Sequence, residues 1–436
     1  MKYIKLFLGI LINLLCAVIL GTALLCAAFL LPNENIDVHM VRTAEIIQSE
    51  GVYPDLSEGF SSTLDNFTDS LMLLEAANGK DMPVLRRALS VVHGNIGEEN
   101  NPAGMLVRHY LGQESFDRSY EYPRYWHGFI IFLRPLLMFF DLPQIRIING
   151  ICQALLVIIT FGLMLKKRKD LYVIPWILGY LMLMPIVSAK SLQYSTCFYV
   201  FMTGSLVLLL LPKERLSKYG AFVFLNIGIA LAYFDFLTYP MVTYGVPMVV
   251  YLCLINDSGM VEKIISIVKN GMMWCLGYGG MWTSKWILAT IVLKRDIVSD
   301  GLSQFSERTS DYAANFHLSK ISVILANYRE FFRTPVIYIA LICILYLIYS
   351  IVKNKTYLSG EAWQSMGLYI LVGVAPVVWY CFATNHSAVH TWFTCKACLV
   401  SFLAVMFGLI DLAEPPKADE KEMEPDGSNS STNTVL

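Results

Sequence analysis

The chain has 436 residues, of which 56% are hydrophobic and 15% charged, and its formal net charge is −1. Soluble domains carry about a quarter charged residues, so an ordinary soluble enzyme is excluded, as are a disordered chain and a repeat-built fibre. No basic field exists to neutralise phosphates, which excludes a nucleic-acid binder, and the class that remains is an all-α polytopic membrane protein.

Residues 4–31 form the first apolar run, behind Lys2 and Lys5. The run is too long for a signal-peptide core and reads as an uncleaved anchor with its N-terminus inside. The hydrophilic segment 32–128 follows. It lacks cysteine and is far too long for a mere connector. Apolar spacing predicts helices over 38–50, 68–77 and 84–92, lying along the outer membrane face. Just beyond the first run stand Glu34 and Asp37. A carboxylate at a low-dielectric boundary is pushed toward general-base range; the plainer reading is an acidic outer flank. Asp65 and Asp69 then lie four apart, beside Asn66, Thr68 and Ser70. Such an oxygen-rich set suits a shared helix face or a divalent cation, Mg²⁺ or Mn²⁺. Alternatively, Thr68 or Asp69 caps the following helix.

Basic residues on the outer side run against the positive-inside rule, so each needs a reason. Arg124 and His127 sit among aromatics in 121–128. Arg134 follows in the apolar stretch 129–140, which is too short for a crossing and fits an interfacial helix. The run near 145–165 carries Arg146, Asn149 and Gln153 on one face. Lys190 lies at an outer turn, Asp235 near another, and Lys285 inside an apolar run. Ionisable groups at membrane depth usually line a cavity or pathway, and outward Arg and Lys at the lipid boundary suit a lipid phosphate.

Further crossings are predicted near 171–188, 193–211, 219–237, 241–255, 271–293, 335–352, 364–383 and 397–412, each close to the roughly 20 apolar residues a span needs. Ten spans place both termini in the cytoplasm, as for a multi-pass protein of the plasma (inner) membrane. The basic groups at 166–169, 213–218, 263–269 and 353–355 then all fall inside, as the charge rule requires. Segments 171–188 and 241–255 are interrupted by prolines, which softens their boundaries. The second outer segment is 294–334, and all seven histidines lie outside. His386 and His390, four apart, share a helix face. Substrate hydrogen bonding or interfacial packing suits them better than zinc, because the Glu of an HExxH motif is missing. Cys395 and Cys398 form one CxxC without a second pair and read as packed helix residues. Residues 1–412 make one integral-membrane domain, and 413–436 read as a disordered cytoplasmic tail.

One span, a long outer loop with acidic residues and amphipathic helices, then many spans: this layout resembles the GT-C fold of integral-membrane glycosyltransferases that use polyprenyl-phosphate-linked sugars. Arg42-Thr43-Ala44-Glu45-Ile46-Ile47, followed by Gly51, is similar to the first loop helix of lipid A aminoarabinose transferases. That family places an acidic motif just before this helix; its register here falls on His39 and Met40, and the nearest acids are Glu34 and Asp37. The motifs around 65–69, 122–128, 235–240 and 385–393 are similar to a group of bacterial polytopic membrane proteins. The resemblance implies transfer of a sugar from a polyprenyl-phosphate carrier to a glycan or lipid acceptor at the outer face of the cell envelope. It implies Asp65, Asp69 or Asp37 as general base, with the boundary Arg, Lys and His residues holding substrate and leaving phosphate. Two other classes stay open: a transporter or flippase for a lipid-linked or anionic substrate, built on Arg146, Lys285 and proline-broken helices, and a non-catalytic scaffold for envelope assembly.

Overall fold

The structure is a computed structural model that describes residues 2–78, 82–97, 100–256, 258–314 and 316–413. The expected tail, beyond Ala413, lies outside these residues. The regular elements of the described chain are helices apart from two short antiparallel strand pairs, Val92–Asn95 with Arg118–Glu121 and Tyr312–Ala313 with Phe316–His317.

Among the described residues, seven helices are long and apolar enough to cross a membrane: Ile4–Phe29, Leu142–Lys166, Leu192–Leu210, Lys213–Phe234, Val336–Asn354, Gly360–Phe382 and Thr391–Ala413. The other three expected spans take different forms. Two are shorter apolar helices, Asp170–Met182 and Met241–Leu254. The expected run 171–188 breaks at Met184, which adopts a left-handed backbone with φ 56°, and Pro185 opens a separate short helix. The third lies within the 34-residue helix Met260–Leu293, which buries Lys263, Asn270 and Lys285 along one side. It packs against Lys213–Phe234 at backbone contact: a Cβ on Gly277 would meet the Leu225 carbonyl oxygen at 2.1 Å, and one on Gly228 the Trp274 carbonyl oxygen at 2.2 Å. Only glycine fits there.

In the outer segment the expected helices form as Glu34–Glu50, Asn66–Ala77 and Val84–Ser90. The cap of the second is Asp65, which accepts from the Thr68 amide at 2.9 Å, not Thr68 or Asp69. The third stops short, because Val92 enters a strand. Arg134 fixes this layer to the first span. Its five N–H groups meet the carbonyls of Ala28, Leu31, Ala76 and Asn78 and the Asn33 side chain, satisfying the open ends of two helices at once. Lys285 likewise reaches out of its long helix to the Leu89 carbonyl at 2.9 Å, under the Trp126 ring.

Candidate functional site

Three arrangements meet at the end of the bundle that carries segment 32–128. The first is a polar network at the heads of Leu142–Lys166 and Leu192–Leu210. Arg146, 6% exposed, donates to both Glu50 oxygens at 2.8 and 2.9 Å, to the Asn66 side chain at 3.1 Å and to the Lys190 carbonyl at 2.7 Å. The Lys190 ammonium stands 3.8 Å from the same Glu50. One turn deeper, Asn149 bonds the Ala189 carbonyl, Ser195 and Tyr199, and Gln153 bonds the Ser188 carbonyl and Ser195. Asp69 is fully buried and caps the Leu192–Leu210 helix from a distance. Its oxygens accept the amides of Leu192 and Gln193 at 3.0 Å and the Ser191 hydroxyl at 3.3 Å. Burial pushes its carboxyl up to about 7, against the pull of Arg146. The network binds protein to protein. Of its members, Asn149, Leu192, Ser195 and Tyr199 line open space.

That open space is the second arrangement, an apolar groove of about 930 Å³ among Leu142–Lys166, Leu192–Leu210 and Lys213–Phe234. Leu192, Tyr199 and Val207 mark its course down one helix, and Phe234 and Tyr219 its course down another. Fifteen residues of helix give it a length on the order of 22 Å. The volume stands near the top of the 300–1,000 Å³ range of small-molecule sites.

The third arrangement begins at the Phe129 end of the groove. Phe129 lines the groove, and its ring packs 5.2 Å from Phe236, which stands 5.1 Å from both Tyr125 and His127. Around these rings lie half-buried cations. Arg124 covers the Tyr122 ring at 4.7 Å and pairs with Asp300 at 2.8 Å. Arg308 donates to His390 Nε2 at 3.0 Å, and no carboxylate among the described residues pairs with it. Burial, with Arg308 alongside, pushes His390 down to about 4 and lowers His386 as well. Both rings are therefore neutral near pH 7. His386 donates from Nε2 to the Leu237 carbonyl at 2.6 Å, which leaves its Nδ1 a bare acceptor, whereas Nδ1 of His390 carries the proton. Neither Nδ1 has a partner among the described residues. Trp392 lies 5.3 Å from His390, and its indole donates to Asp65 at 3.4 Å. Asp65 is 2% exposed, and burial raises its carboxyl above the usual carboxylate range.

The residues singled out in the sequence thus divide. Asp69, Arg146, Asn149, Gln153 and Lys190 share the network, while Asp65, Arg124, His386 and His390 surround the mouth. His127 lies at its floor, fully buried, with Nε2 on the Tyr122 carbonyl and Nδ1 on Glu75 at 2.9 Å. Arg134 stands apart, every N–H occupied by protein, and Asp37 is exposed beside the Tyr110 hydroxyl at 3.2 Å. An Mg²⁺ or Mn²⁺ ion between Asp65 and Asp69 does not fit this donor set, since both Asp69 oxygens are held by amides of another helix. Among the described residues no group of three His, Cys, Asp or Glu side chains could hold a metal ion.

Sequence reasoning missed Glu50, Glu75, Asp300 and Arg308. Glu50 carried a signal: an acid at a helix C-terminus opposes the macrodipole and calls for a cation. Glu75, alone in the apolar stretch 71–77, carried another. The chain matches no family model, no curated protein and no solved structure.

Proposed function

We propose that the protein is a membrane glycosyltransferase of the plasma membrane, with ten spans and both termini inside, that uses a sugar carried on a long-chain lipid phosphate. One observation carries this reading: Phe129 at the end of the apolar groove packs on Phe236 and through it on Tyr125, and beside Tyr125 lies a half-buried Arg308 that no carboxylate among the described residues pairs with. A lipid chain in the groove would bring its phosphate toward Arg308 and Arg124, cations that suit a phosphate.

In this reading an acceptor hydroxyl attacks the anomeric carbon as the bond from that carbon to the phosphate oxygen breaks. The electron pair leaves with the lipid phosphate, and Arg308 and Arg124 stabilise its growing charge. The hydroxyl proton passes to Asp65, whose burial gives it the affinity a general base needs. Neither Asp69 nor Asp37 suits that role, the first being a helix cap and the second exposed beside the Tyr110 hydroxyl. No step is routed through a metal ion. The transporter reading loses its main support, because Arg146 and Lys285 are matched by Glu50 and by the Leu89 carbonyl. The test is mass spectrometry of lipids retained after purification in mild detergent. A polyprenyl phosphate or its sugar adduct enriched over the source membrane supports the proposal. Bulk phospholipid in membrane proportion overturns it.

A further inference from the structure

The mouth has a second side, formed by rings. Tyr53 is 49% exposed, lies parallel to Phe67 at 6.4 Å and 10°, and meets Trp392 edge-on at 5.4 Å. Phe67 and Trp392 are themselves only half-buried. The backbone that carries Tyr53 is locked in place. The Val52 carbonyl accepts the Asn66 amide at 3.0 Å, the Pro54 carbonyl accepts the Leu64 amide at 2.9 Å, and Thr63 donates to Asp55 at 2.5 Å. Exposed aromatics near a bilayer usually anchor at the headgroups with their polar ends in water. These do otherwise: the Trp392 indole donates to the Asp65 carboxylate, and Tyr53 stands on a polar loop with Asp55, Ser57 and Glu58.

From this we infer that Tyr53, Phe67 and Trp392 form a stacking platform for a pyranose acceptor, with Asp65 at its edge. A pyranose offers a face of C–H groups to an aromatic ring and a rim of hydroxyls to acceptors. Asp65 holds the Thr68 amide, the Thr68 side chain and the Trp392 indole N–H, and an ionised carboxylate has about four acceptor positions, so one remains for a sugar hydroxyl. A fixed loop and fixed rings lower the ordering cost of binding. The platform therefore names the acceptor of the proposed transfer as a saccharide, and to that extent it rests on the transferase reading.

The experiment is saturation-transfer NMR on the full-length protein in nanodiscs. The probes are the methyl glycosides of glucose, galactose and N-acetylglucosamine, together with chitobiose. At least one should receive saturation, strongest at its ring C–H protons. Tyr53→Ala should weaken that ligand by at least about tenfold, equal to 1.4 kcal/mol, while Tyr53→Phe binds as wild type. Retention of groove lipid by both variants shows that they are folded. The inference is overturned if no probe receives saturation, or if Tyr53→Ala binds as wild type. Sugar binding without an enriched polyprenyl lipid keeps the platform and sinks the transferase; an enriched lipid without sugar binding does the reverse.

Discussion

Replacing Arg146 with Met separates the two roles that its position allows, substrate contact and structural pairing. The guanidinium is 6% exposed and makes two bonds to Glu50, one to Asn66 and one to the Lys190 carbonyl. Removing one partner of a buried ion pair costs about 3–5 kcal/mol, because the remaining charge stays buried without compensation. Here Glu50 keeps 18% side-chain exposure, and the Lys190 ammonium lies 3.8 Å away, so the lower end applies, about 3 kcal/mol. Glu50→Leu together with Arg146→Met removes both charges and should recover most of the loss, leaving a coupling energy of about 2 kcal/mol. Denaturant titration in detergent, followed by intrinsic tryptophan fluorescence, reads all four corners of the cycle. If Arg146→Met unfolds with wild-type stability yet no longer transfers sugar, the pairing argument is wrong and Arg146 belongs to the substrate site.

Asp65→Asn should cut transfer by about a hundredfold, the usual scale for a lost general base, whereas Asp37→Asn should work at the wild-type rate in the same membrane assay. The acid limb of the wild-type rate profile should lie above the ordinary carboxylate range, since burial raises Asp65. Arg308→Met should lower retained lipid phosphate by at least about tenfold, and Arg308→Lys should restore only part of it, because an ammonium lacks the planar fork; equal retention in all three would remove Arg308 from the site. Thr203→Trp, which fills the middle of the groove, should abolish lipid retention without unfolding the protein. Asp69 adds a pH dependence. Its folded pKa stands near 7 and its ordinary value is 3.8, so between about 4 and 7 the folded state holds a proton that the unfolded state has lost. Stability should therefore fall as pH rises through that window, by on the order of 4 kcal/mol, and a flat profile would refute the protonation argument.

Hydrophobic runs made the helical class and most span positions legible in the sequence, because apolar length is a direct record of the bilayer. Pro185 announced a break in 171–188, but the left-handed Met184 that completes it leaves no compositional mark. The stripe of Arg146, Asn149 and Gln153 was visible as a polar face; that Glu50 lay opposite was not, since nearly a hundred residues separate the partners. Arg134 shows the same limit. An outward cation at the lipid boundary reads as a phosphate ligand, yet helix ends can present enough bare carbonyls to occupy it fully. The mouth is assembled from five distant segments, around 53–67, 122–129, 236–237, 300–308 and 386–392. Local pattern found Arg124, His386 and His390 but gave no reason to single out Arg308 over the other basic residues of the second outer segment.

The cap that Asp69 places on the Leu192–Leu210 helix also bears on how the chain is made. A helix start left in a membrane environment without partners for its first amides is costly. Its partner here was synthesised some 120 residues earlier and lies in the outer layer. If segment 32–128 lies outside, as proposed, the Asn66–Ala77 helix has to be translocated, and stand folded there, before Leu192–Leu210 can settle into the bilayer. During biogenesis the segment 32–128 acts as a template that waits for the later helix and pulls its head into register. A variant lacking Asp69 would be expected to insert that helix late or shallow, visible as delayed protection of Tyr194 and Ser195, each replaced by Cys, from a thiol reagent added outside during pulse-labelled synthesis.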